Sequence, residues 1–205
     1  MSERTPVNLR DGRAAGIVQA VLIDGVTREE IERAQAQWKP VMVEAQARWA
    51  AEGRPREKWP QHSHWNWLEK KDSTSGLLAY GFYGIEAEGE MQGLMMVSTA
   101  GNACRIASQK GKPLVYVEYL TAAPWNLRLF VPEPRYRSVG PVLIAAAVQL
   151  SRDEEFAGRI GLHSLSQSDD WYRDVCGMTD LGQDPAAGHL RYFEMTPEQA
   201  SNFLK

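Results

Sequence analysis

Trp59, His62, His64, Trp65 and Trp67 stand within one nine-residue stretch. Indole faces attract cations and apolar bodies, and an imidazole exchanges a proton near neutral pH. The stretch is a candidate ligand wall, with His62, His64 and Trp65 as the side chains to touch a substrate. The same residues also suit a core lining, with buried tryptophans and histidines bonded to backbone. His62 and His64 have the spacing of a metal pair, but no third ligand stands nearby and no metal is expected. A second chemical group is Arg135-Tyr136-Arg137-Ser138-Val139-Gly140, which opens an apolar helical pattern. Free backbone N–H groups at such a helix start, with two arginines beside them, suit a pyrophosphate. They suit a plain helix start with solvated arginines as well. A third candidate is Glu118, an acid inside the apolar run LVYVEYLTA. A bare buried carboxylate is costly. It is a proton acceptor, the partner of an arginine such as Arg105 or Arg191, or a group turned to solvent. It shares strand parity with Ala122.

These groups need elements to position them. Residues 14–23 read as a strand, and Thr27 with Glu30 as a capping box before a long helix. Ile31, Ala34, Trp38, Met42, Ala45 and Trp49 recur at helical spacing, while Pro40 predicts a kink or a split. Residues 77–85 and 91–99 read as a hairpin around Glu88-Gly89, and 114–122 as a central strand ended by Pro124. Residues 138–150 carry a helical apolar face, 159–164 a buried strand and 189–195 a last strand. Ser166 and Asp169 predict a capping box for a short helix running through Cys176, with Gly177 to end it. The order indicates a mixed α/β domain without a clear linker.

Arg135 to Gly140 resembles the acetyl-CoA pyrophosphate loop of the GCN5-related N-acetyltransferases. That pattern is Gln or Arg, two residues, Gly, any residue, then Gly or Ala; Ser138 stands at the first glycine. The flanks are similar too: a strand ending in proline before the loop, and after it a strand, then SDDWYRDVCGM with Tyr172 five residues before Gly177. A frequent asparagine at the start of that last segment is Leu165 here. The resemblance spans residues 90–195.

The resemblance implies a mixed, mostly antiparallel sheet with a splayed strand pair, flanked by helices (an α/β, α+β fold). It implies one domain over 1–205, with 1–75 as a strand and helical acceptor side and 76–205 as the sheet and acetyl-CoA core. It assigns acetyl-CoA contacts to Ala122, Arg135, Arg137, Ser138, Val139, Gly140, Pro141 and Val142. Tyr172 takes the place of the general acid and Glu118 that of the general base. The activity implied is acetyl transfer from acetyl-CoA to a primary amine, on a small molecule or a peptide, by direct attack. The alternative is a non-catalytic CoA-binding or protein-interaction module on the same fold. A homodimer is the frequent assembly in the family.

Composition sets bounds around this. A net charge of -3 gives no electrostatic drive toward nucleic acid. The longest nearly apolar run, Val139 to Val148, is half of what a membrane span needs. The polar N-terminus and two unpatterned cysteines, Cys104 and Cys176, point to a reduced, cytoplasmic setting. No GxSxG elbow, GxxxxGK[ST] loop or dinucleotide fingerprint is present.

Overall fold

The computed structural model describes residues 2–205. It is a mixed, mostly antiparallel sheet structure flanked by helices, as expected. The chain forms two compact units. The first holds the chain up to Leu77, Phe82–Met95 and Leu120–Leu143; the second holds Leu78–Gly81, Met96–Tyr119 and Ile144–Lys205.

The first unit begins with an antiparallel pair, β1 (Glu3–Asp11) and β2 (Ile17–Asp24). The Asp11 carboxylate makes the turn by accepting the N–H groups of Arg13 at 2.7 Å and Ala14 at 3.1 Å. Sequence patterning misses β1 because Leu9 is its one buried residue. Helix α1 (Arg28–Ala51) opens with the Thr27–Glu30 capping box and buries Ile31, Ala34, Trp38, Ala45 and Trp49. The expectation of a split at Pro40 is corrected: the helix runs on through 24 residues. Packing of its apolar face outweighs one lost backbone bond, here the one that Ala36 would have accepted. Helix α2 (Trp67–Ser73) follows, capped by Asn66. Strands β3 (Tyr80–Ala87) and β4 (Glu90–Ser98) meet at Glu88-Gly89, both with positive φ, the backbone of a tight hairpin. A two-residue strand, β6 (Tyr136–Arg137), pairs with β1 and gives this unit the order β6-β1-β2-β3-β4. Trp49 packs on Phe130 at 5.3 Å and Trp59 at 5.5 Å, so the tryptophan-rich stretch is in part core.

The second unit has the order β5-β7-β9-β8, from β5 (Val115–Ala122), β7 (Ile160–Ser164), β9 (Leu190–Met195) and β8 (Thr179–Asp184). Strand β5 runs on into the first unit. Helix α3 (Val139–Asp153) starts in the first unit and ends in the second, and α4 (Pro197–Phe203) closes the chain. Sequence reading missed α4, although Thr196 and Gln199 spell a capping box that does form. Strands β5 and β7 are parallel and pair from Val115↔Ile160 to Val117↔Leu162, where the register stops. The expected Ser166–Asp169 capped helix is also corrected. That segment is a 3-10 turn (Ser166–Ser168) and then a π turn (Trp171–Val175), with no side-chain cap at Leu165. The wide turn lets Met178 N reach the Tyr172 carbonyl at 3.1 Å.

Candidate acyl-transfer site

In the first unit, the end of β5 is held from β4. Gln92 O accepts the Ala123 N–H at 2.8 Å. Backbone direction alternates along a strand, so the Ala122 N–H points to the other edge, where no register with β7 continues. Ala122 is thus a donor outside the ladder. After Pro124 the chain turns through Asn126, whose Nδ2 donates to Gln92 Oε1 at 3.0 Å and whose Oδ1 accepts the Tyr136 N–H at 2.9 Å. Trp125 Nε1 donates to the same Gln92 oxygen at 2.8 Å. Buried Gln92 therefore ties the end of β5 to the Arg135–Arg137 loop. Sequence reading missed both amides; the one signal was a glutamine inside an apolar strand run.

The loop then delivers the start of α3. Ser138 has φ +73°, the left-handed conformation that glycine adopts at least cost. Serine here holds the backbone geometry that the resemblance gives to a glycine. The N–H groups of Val139 and Gly140 precede the first helical bond, in which Val142 N donates to Ser138 O at 3.0 Å. They are free of intrahelical partners. Pro141 has no N–H, and the Val142 N–H is spent within the helix. The Arg135 guanidinium is ion-paired to Glu88 and Glu90. Arg137 is exposed, with a 3.4 Å contact from its Nη2 to Gly12 O. Gly93 lets the first turn of α3 pack close to β4: a Cβ there would lie 2.6 Å from Val139 Cγ1 and 3.0 Å from Thr121 O.

Beside Ala122 the first unit holds a cavity of about 510 Å³. Thr121 and Ala122 line it from β5, Trp38 and Met42 from α1, and His62 and Trp65 from the aromatic stretch. The sequence expectation for that stretch divides. His62 and Trp65 face the cavity, whereas His64 is exposed and takes no part in the lining. His62 packs on Trp65 at 5.7 Å and Phe130 at 5.9 Å, and its imidazole makes no side-chain hydrogen bond among the described residues. Burial, with a smaller push from His64, lowers its pKa to about 4, so it is neutral at pH 7.

In the second unit, Glu118 accepts from Ser98 Oγ at 2.9 Å, and Asn102 Nδ2 donates to that Oγ at 3.0 Å. Among the described residues no arginine pairs with it. Arg105 is ion-paired to Asp184 and Arg191 to Asp180. Burial raises the Glu118 pKa, against the opposing pull of Ser98. Tyr172 is buried, with its ring against Trp171 at 4.8 Å and Phe193 at 5.8 Å. Burial raises its pKa, which keeps it a protonated phenol. A polar chain that sequence reading missed runs from Tyr116 OH to His163 Nδ1 (2.5 Å) and from His163 Nε2 to Asp184 Oδ2 (3.0 Å). Burial also pushes the thiols up, Cys104 to about 11 and Cys176 to about 12. Neither is a thiolate at neutral pH.

RimJ of Mycobacterium smegmatis, solved in complex with CoA-disulfide, matches over 100% of this chain and 93% of its own, at 14% identity and a TM-score of 0.51. The fold is that of the GCN5-related N-acetyltransferases. The PaiA N-acetyltransferase of Thermoplasma acidophilum, in complex with coenzyme A, is a looser match: 15% identity, a TM-score of 0.48, 85% of this chain and 98% of that one. Neither a protein-family model nor a curated protein matches the sequence. Within this acetyltransferase fold, the Arg135–Gly140 loop, the end of β5 and the start of α3 lie in the first unit, and Tyr172 lies in the second. Among the described residues no helix is long and apolar enough to cross a membrane, and no group of three His, Cys, Asp or Glu side chains is placed to hold a metal.

Proposed function

We propose that the protein is an N-acetyltransferase that moves the acetyl group of acetyl-CoA to a primary amine by direct attack. The observation that carries this reading is the cavity that Ala122, the unladdered donor of β5, lines together with His62 and Trp65. One wall offers a donor for a thioester oxygen, and the other walls enclose room for an acceptor. The residues fit acetyl-CoA where the reading needs them to. Ser138 is in the glycine-like conformation, and the Val139 and Gly140 N–H groups open a 15-residue helix.

Acetyl-CoA supplies the acyl group as an activated thioester. The Ala122 N–H donates to the carbonyl oxygen as charge grows there, an effect that depends on a donor fixed before the reaction. The amine nitrogen forms the C–N bond as the C–S bond breaks. Glu118, with its pKa raised toward working pH, takes the ammonium proton through water. Tyr172, a neutral phenol, gives its proton to the departing sulfur. The raised thiol pKa values support direct attack over an acyl-cysteine route.

The reading is tested by thermal shift with acetyl-CoA and by turnover, followed as free CoA. Saturating acetyl-CoA is expected to raise the melting temperature. Tyr172→Phe is expected to lower kcat at least tenfold while leaving that shift intact. No shift with the wild type would sink the reading; a shift without turnover on any amine would favour a non-catalytic CoA module.

A further inference from the structure

On the reading that the protein binds acetyl-CoA, the pyrophosphate at the start of α3 leaves a second phosphate to place, the monoester on the ribose. A phosphomonoester carries about −1.5 to −2 charges at pH 7 and calls for cations of its own. The β1–β2 hairpin brings them to the loop. Strand β6 pairs with β1 so that Arg137 stands directly opposite Arg10. Opposite residues of an antiparallel pair share a face, with Cβ atoms about 5 Å apart. The Arg137 guanidinium rests on the hairpin turn, with Nη2 3.4 Å from Gly12 O, and Arg13 follows that glycine. The turn is fixed against the loop. Gly12 N donates to Arg135 O at 2.8 Å, and a Cβ at Gly12 would lie 1.8 Å from Pro134 O.

Like charges set directly opposite each other destabilise a strand pair unless an anion joins them. Among the described residues no carboxylate does so. Glu88 and Glu90 are ion-paired to Arg135. Asp11 is next to Arg10 in β1 and opposite Tyr136, so it lies on the reverse face of the pair. Its Oδ1 is spent on the N–H groups of Arg13 and Ala14. The arginine face is open to solvent: Arg10 and Arg137 are exposed, and Ile17, opposite Arg10 in β2, is 71% exposed. In a chain of net charge -3, three arginines without an ion pair around one turn reverse the local sign. Val139 is two residues beyond Arg137, at most about 7 Å along the chain. The arginine pair and the free N–H groups of Val139 and Gly140 are therefore within the reach of one nucleotide.

We propose that Arg10 and Arg137 together hold the ribose 3′-phosphate of acetyl-CoA, with Arg13 adding to the field. The hairpin then makes the protein select CoA over dephospho-CoA, which lacks that phosphate. A guanidinium offers paired donors to phosphate oxygens, and a dianion between two of them turns the repulsion of the register into attraction.

Titration calorimetry of the full chain with CoA and with dephospho-CoA tests this. The wild type is expected to bind CoA at least tenfold more tightly than dephospho-CoA. Arg10→Gln should weaken CoA binding at least fivefold and leave dephospho-CoA binding within twofold. Its melting temperature without ligand should equal or exceed that of the wild type, since Arg10 is exposed and the opposed charges are relieved. Equal affinity of the wild type for the two ligands overturns the inference and leaves the acetyltransferase reading standing. So does a preference for CoA that survives Arg10→Gln intact, or a loss in that variant that falls equally on both ligands. Binding of neither ligand to the wild type overturns the inference together with the reading on which it rests.

Discussion

Asn126 Nδ2 lies 3.0 Å from Gln92 Oε1, and the same Asn126 accepts the backbone N–H of Tyr136 at 2.9 Å. Both side chains are buried, so two turns of irregular chain hang on one amide pair. Removing either amide strands buried donors and acceptors. Gln92→Leu is expected to destabilise the protein by about 2 kcal/mol, since each stranded group costs on the order of 1–3 kcal/mol. Asn126→Ala should cost a similar amount and also weaken acetyl-CoA binding, because it releases Tyr136. Urea melts measure the first effect, and acetyl-CoA titration the second. Full retention of both would show that the pair is not a support of the loop.

Gly93 makes a steric prediction. A methyl group there would stand 2.6 Å from Val139 Cγ1 and 3.2 Å from Leu143 Cδ1. Gly93→Ala should push back the first turn of α3 and destabilise by about 1–3 kcal/mol. Its acetyl-CoA affinity should fall at least tenfold while far-UV circular dichroism keeps the native shape.

The backbone at Ser138 is expected to favour glycine over serine. With φ at +73°, Ser138→Gly removes the steric cost of a Cβ. The expected gain is about 0.5–1 kcal/mol, reduced by the freer unfolded chain. Ser138→Val should instead lower the melting temperature. Calorimetric melts of the two variants should move in opposite directions.

His62 makes stability depend on acid. Its pKa falls from 6.5 in the unfolded chain to about 4 in the fold. Between those values the unfolded state binds more protons, so stability drops as pH falls through that window. The full loss is about 3 kcal/mol, at 1.36 kcal/mol per pKa unit. His62→Phe should flatten the stability curve between pH 6.5 and 4. A curve as steep as that of the wild type would place the acid sensitivity elsewhere.

Glu118 makes the opposite prediction. Its folded pKa is raised above 4.5, so the native state binds the extra proton and stability declines as pH climbs from 4.5 through the folded value. Glu118→Gln should remove that decline and be no less stable than the wild type at pH 7. Its kcat should nonetheless drop at least tenfold, and the acidic limb of the pH–rate profile should disappear. A rate equal to that of the wild type would exclude the base role.

The sequence by itself determined what neighbours along the chain decide. The Thr27–Glu30 capping box, the apolar face of α1, the Glu88-Gly89 hairpin, the β5 strand and the α3 start are all legible because caps, periodicity and turns join residues a few positions apart. Tertiary structure decided the rest. Pro40 does not break α1, because packing at Trp38 and Trp49 is worth more than one backbone bond. Arg135 is withdrawn from the loop by Glu88 and Glu90, residues 47 and 45 positions away. The aromatic stretch divides residue by residue, with Trp59 packed on the core, His62, Trp65 and the buried Trp67 on the cavity, and His64 in solvent. Composition cannot make that division, since all five residues suit either place. Only the surface against which each side chain folds separates a ligand wall from a core.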